Sequence, residues 1–239
     1  MKLLMYSSKL WSVFRLTRFY HRFHSLKIFI WVFPLVYLLG GVGCVSSTAV
    51  KDSPKHKITA KQLLVKLDQK EQAWNEARAT FTVFIDLEQW QHAVEACNVM
   101  YQTEQPASIV ALGHGVWLAV TYPISADTSV AMLNHIVDET PADSDGAAVA
   151  AMVGYYIADI RSNDKEHDSM TFLAKTILGN VAKRHSNVQT QKEMDAWLFK
   201  LELNEPEVFL PRLSLVVNSI VEENWWFDRD ELRSRLPVN

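Results

Sequence analysis

The run from Ile28 to Gly43 constrains this chain more than any other feature, because it contains no charged side chain. It follows a leader of 27 residues with six basic side chains (Lys2, Lys9, Arg15, Arg18, Arg22 and Lys27) and no acid; the first acid is Asp52. Lys and Arg ahead of an apolar stretch stay on the cytoplasmic side of a bilayer, since carrying them across is costly. The run is short for a spanning helix, which needs about 20 residues, and long for an ordinary secretory core. Pro34 in its middle suits a membrane segment better than a soluble helix. Residues 1–43 therefore read as a signal peptide or signal anchor, and only the residues beyond them can build a globular core.

The end of the run, Gly41-Val42-Gly43-Cys44 followed by Val45-Ser46-Ser47-Thr48, resembles the lipobox of bacterial lipoproteins. That resemblance implies that the Cys44 thiol receives a diacylglyceryl group and that Cys44 becomes the new N-terminus after cleavage. With Val45 rather than Asp after the cysteine, it further implies passage to the outer membrane in a Gram-negative cell. Two acyl chains hold a protein stably where one does not. The alternative is an uncleaved signal anchor from Lys27 to about Ala49, whose flanking charges are equally suitable. Both readings put a membrane-anchored protein in the cell envelope, facing the periplasm. Residues 44–57, with Ser, Thr, Lys and Pro54, read as a flexible tether and 58–239 as one extracytoplasmic domain.

With the leader's six cations set aside, 18 basic residues face 27 acids, a net charge of about −9 against −3 for the whole chain. Between Arg78 and Arg161 there is no Lys or Arg, while ten acids occur. No basic stripe exists to neutralise phosphates, which excludes a nucleic-acid partner. An acidic stretch suits a basic envelope protein, and it also keeps a soluble face solvated. Cys97 is the one cysteine beyond Cys44. Acylation of Cys44 would leave Cys97 without a disulfide partner, as a small buried hydrophobe.

Helical periodicity dominates the domain. Thr59-Ala-Lys-Gln62 forms a capping box, and Leu63, Leu67, Lys70, Trp74, Ala77 and Phe81 make one seam. Leu87, Trp90, Val94, Cys97 and Tyr101 share a second face, although 79–85 alternates well enough to start as a strand. Asp127 and Asp168 are expected caps; Ser144 or Asp145 opens a helix carrying Gly146, Ala150, Gly154 and Ala158. In the helix after Asp168, Phe172 and Leu173 are placed inward. Thr190-Gln-Lys-Glu193 is a second capping box. A helix from Pro211 to Asn224 and a short one begun by Asp228 complete the chain. The fold expected is mainly α, one helical domain of about seven to nine helices. Residues 108–122 turn on Gly113-His114-Gly115 and fit a buried helix or a short β-hairpin, since two interior glycines cost a helix about 1 kcal/mol each.

Catalytic patterns fail one by one. A calcium loop aligned on Asp143, Asp145 and Gly146 of the acidic loop 138–146 would need acids where Pro141 and Met152 stand. His92, His114 and His135 have no ligand-spaced partner, so no metal or other cofactor is expected. No nucleophile elbow or phosphate loop occurs. His114, between two glycines in an apolar run, is the histidine that suits a pocket. Trp225, Trp226 and Phe227 form the densest aromatic cluster, suited either to closing the core or to contacting a partner. Together these residues suit a non-enzymatic binding or assembly factor tethered to the membrane. The alternatives are an envelope enzyme acting on cell-wall or small-molecule substrate through His114, and an immunity-type inhibitor of a basic protein.

Overall fold

The computed structural model describes residues 69–236, and every regular element among them is helical. Nine helices occur in order: α1 Lys70–Asp86, α2 Trp90–Gln102, α3 Ser108–Thr121, α4 Ala126–Glu139, α5 Asp145–Arg161, α6 His167–Ser186, α7 Gln191–Lys200, α8 Pro206–Val221 and α9 Arg229–Ser234. The leader, the apolar run, Cys44, the tether and the first capping box lie outside the described residues.

Short connections make neighbours in sequence neighbours in space. α1 packs on α2, α2 on α3, α3 on α4, α4 on α5 and α5 on α6; α8 then returns across α3 and α5 and closes the bundle. The centre is α3, buried without a break from Ala111 to Ala119. A helix buried on every side must be apolar all round, which explains why 108–122 shows no amphipathic period.

The hairpin alternative at 108–122 is not what forms, and packing gives the reason. A Cβ on Gly113 would meet Val221 Cγ2 well under 3.0 Å, with Ile220 Cγ2 at 3.3 Å. A Cβ on Gly115 would fall as close to Met132 Cε and 2.8 Å from Cys97 Cβ. The two glycines let α8 approach one side of α3 while α2 and α4 approach the other. Close helix contact repays their low helix propensity.

The strand-like alternation at 79–85 is also helical, with Phe81, Phe84 and Ile85 buried. Asp127 and Asp168 are not caps. Each is the second residue of its helix, where a carboxylate still suits the dipole, and the N-cap positions belong to Ser125 and Glu166. Ser144 Oγ accepts from the Gly146 amide, the Thr190–Glu193 capping box closes on both sides, and Asp228 accepts from the Asp230 and Glu231 amides. α8 starts at Pro206 rather than Pro211, because proline at the first helical position loses no bond. Pro211 is carried inside, held by the burial of Phe209, Leu210 and Leu213. Phe172 and Leu173 point outward, 73% and 47% exposed; that face of α6 turns on Ala174, Leu178 and Val181 instead.

Arginines from later in the chain cap the helices of the cation-free stretch. Neither α3 nor α4 has a basic residue in its last turn. Arg161 donates from Nη1 to Ala119 O (2.6 Å) and from Nη2 to Val120 O (3.0 Å), at the end of α3. Arg184 Nη2 donates to Val137 O (2.6 Å) near the end of α4. A guanidinium there satisfies orphan carbonyls and meets the negative end of the dipole.

Candidate functional site

Two features that stand far apart in the sequence meet in one cluster. His114 and the segment Trp225–Phe227 are in contact, with the His114 ring stacked on Trp226 at 4.2 Å and 17°. Trp225 and Phe227 flank the same ring, each with centroids at 5.1 Å. Phe81 of α1 touches His114, Trp226 and Phe227. Trp74 meets Trp226 edge-on, and the Arg78 guanidinium lies 4.1 Å from the Trp226 ring centre. Trp226 is thus layered between a buried imidazole on one side and a guanidinium on the other. Arg229 covers Trp225 in the same way, at 4.1 Å.

The hydrogen bonds of His114 fix its chemistry. Val110 O can only accept, so His114 Nδ1 carries the proton and donates at 2.7 Å. The Trp226 amide can only donate, so Nε2 is bare and accepts at 2.9 Å. The ring is neutral with both nitrogens engaged to main chain, and it is fully buried. Burial, reinforced by Arg78 and Arg229, lowers its pKa to about 4, against the smaller opposing effect of the Val110 carbonyl. A base with its lone pair held by an amide, and with no carboxylate in reach among the described residues, has nothing to exchange with a substrate. The arrangement works as a joint that fastens the chain after α8 to the central helix.

Other titratable groups gather at two further places. At the junction of α5, α6 and α7, His185 Nε2 lies 3.2 Å from Asp145 Oδ1, and Ser186 Oγ lies 2.7 Å from Nδ1. The order Ser–His–Asp suggests a nucleophilic relay, but Trp197 Nε1 donates to the same Nδ1 at 3.1 Å. The lone pair that would take the serine proton is occupied, and Arg212 holds the other Asp145 oxygen at 3.2 Å. This too is a structural junction. At the ends of α2 and α4, Tyr101 Oη donates to Glu139 Oε1 at 2.6 Å. Partial burial, the Glu139 hydrogen bond and the fields of Glu139, Asp138 and Glu104 push the Tyr101 phenol up. The carboxylates gather here at two helix C-termini, with Lys70 paired to Glu104 and the Arg184 guanidinium on the last carbonyls of α4.

Among the described residues no group of His, Cys, Asp and Glu is placed to hold a metal ion. His92 pairs with Glu95, and His135 bonds Asn98. Cys97 is buried against α3, and burial pushes its thiol well above the ordinary range. Trp74 and Phe81 are legible in the sequence as an inward seam of α1; Arg78 and Arg229, which finish the cluster, carry no pattern that marks them. Comparison with protein-family models, curated proteins and solved structures finds no match to this chain.

Proposed function

We propose that the chain is a membrane-tethered cell-envelope protein whose helical domain acts by binding, as an interaction or assembly factor. The address rests on the basic leader, the apolar run and Cys44. The observation that carries binding over catalysis is the state of His114, whose two nitrogens are both committed to main chain. The partner class is a basic protein of the envelope. The ten acids of the cation-free stretch are exposed except for half-buried Glu95. Of these, Asp138 and Glu139 at the carboxyl end of α4, with Glu104 after α2 paired to Lys70, act on one tyrosine. Such a surface speeds encounter with a cationic partner, and its binding weakens steeply with salt.

The test uses the full chain, extracted from membranes in mild detergent. Its intact mass should begin at Cys44 with added acyl chains; a full-length mass would replace the lipoprotein by a signal anchor and leave the binding reading standing. As bait against solubilised envelope proteins, it should retain a basic partner at low salt, lose it at high salt, and lose it in D138N/E139Q. Absence of a salt-sensitive partner would refute the binding reading.

A further inference from the structure

The segment after α8 is attached in an unusual way. Asn224 N donates to Val221 O at 2.9 Å, closing a turn whose second residue is Glu222, at φ 52° and ψ −125°. These are the angles of the first central residue of a type II′ turn, which glycine fills by preference. Asn187, at φ 53° and ψ 35°, is left-handed helical and tolerable for its side chain; Glu222 is not in that region and is strained. Beyond this turn, directed bonds join residues 222–236 to the bundle. The Trp226 amide reaches His114 Nε2, Tyr122 Oη donates to Leu232 O at 2.7 Å, and Arg229 Nη1 donates to Asn218 Oδ1 at 2.7 Å. Leu232 is buried, while Trp225, Trp226 and Phe227 are half-buried.

We propose that residues 222–236 are a releasable strap, hinged at the strained Glu222 turn, that unlatches from α1 and α3 as a unit when His114 takes up a proton, while α1–α8 stay folded. The latch is the Trp226 amide on His114 Nε2. A proton on Nε2 sets two donors against each other and places a charge in a fully buried site. The charged groups acting on that site are Arg78 from α1 and Arg229 from the strap, both cationic. α2 meets the adjacent Gly115 with the buried Cys97 thiol, and α8 meets Gly113 with Val221 and Ile220. Asp228, the acid beside Phe227, is turned to the amides of α9. Among the described residues, no carboxylate is therefore in place to stabilise the cation. Release would uncover Phe81, Trp117, His114 and the faces of Trp225 and Trp226 as a continuous aromatic surface.

Hydrogen exchange of the full chain in detergent, corrected for intrinsic rates, measures the strap against the bundle. With the imidazole at about 4 when latched and near 6.5 when released, opening should grow about thirtyfold between pH 7.5 and pH 5. Strap amides 224–236 should lose protection by that factor while α2–α5 keep theirs. In His114→Gln, whose side-chain oxygen can accept from Trp226 without taking a charge, the pH response should vanish. Glu222→Gly, which relieves the turn without touching the latch, should slow strap exchange roughly fivefold at every pH. Strap and bundle losing protection together, or a strap indifferent to pH over this range, would overturn the proposal. Unchanged strap exchange in Glu222→Gly would overturn the hinge.

Discussion

Four helix-interior glycines differ in what surrounds them, which turns one substitution into a ruler for packing. Gly→Ala in a helix gains roughly 1 kcal/mol from propensity at every site. At Gly115 the new methyl would meet Met132 Cε, the mobile end of a flexible side chain, and Cys97 Cβ at 2.8 Å, which is fixed to the α2 backbone. At Gly113 it would meet Val221, β-branched and fully buried. Overpacking of that kind costs about 1–3 kcal/mol, so both variants should be net destabilised by up to about 2 kcal/mol. At Gly154 the nearest atoms are Leu133 Cβ and Cδ1, both at 3.9 Å, beside a small cavity lined by Val130, Leu133, Ala150 and Ala174. At Gly179 nothing lies within 4 Å. Both of these should gain about 0.5–1 kcal/mol. For a domain of this size 1 kcal/mol moves Tm by roughly 2–4 °C, so thermal unfolding by circular dichroism separates the pairs. If Gly113→Ala and Gly115→Ala are as stable as Gly179→Ala, α3 is not approached closely by α2, α4 and α8.

Three further outcomes are expected from the same contacts. His114 is neutral when buried, so its contribution is complete above pH 6.5, falls as pH drops toward 4, and changes no further below that. The loss is about 3 kcal/mol. Urea unfolding across pH 7 to 4 should show it, and His114→Gln should flatten that part of the curve. Arg161→Met removes the donors to Ala119 and Val120 carbonyls and should cost about 1–3 kcal/mol; an unchanged denaturation midpoint would show water replacing the guanidinium at no cost. Native Cys97 should resist thiol reagents and react only on unfolding; rapid labelling under native conditions would disprove its burial.

The sequence carried the elements that local chemistry decides. Thr190 with Glu193 and Asp228 with the amides after it announce helix starts, because a capping side chain needs only its own first turn. Residues 108–122 stay divided between helix and hairpin in the sequence because the deciding atoms, those of Val221, Met132 and Cys97, belong to three other helices. Phe172 and Leu173 are misplaced by periodicity because two adjacent apolar residues leave the face undecided, and the Ala174–Leu178–Val181 row wins the core. His114 and the Trp225–Phe227 segment are each conspicuous alone. Their meeting across 112 residues, through one amide and one imidazole, has no local signature. Arg78 and Arg229 are invisible for the same reason.

His114 is a locked joint between the Val110 carbonyl and the Trp226 amide. Long-range proton–nitrogen NMR of the imidazole tests it most directly, with His114→Gln identifying the signals. A locked joint predicts a neutral ring at pH 7 and still at pH 5.5, with the proton on Nδ1 and Nε2 bare. A doubly protonated ring at pH 5.5, or a proton on Nε2, would contradict it.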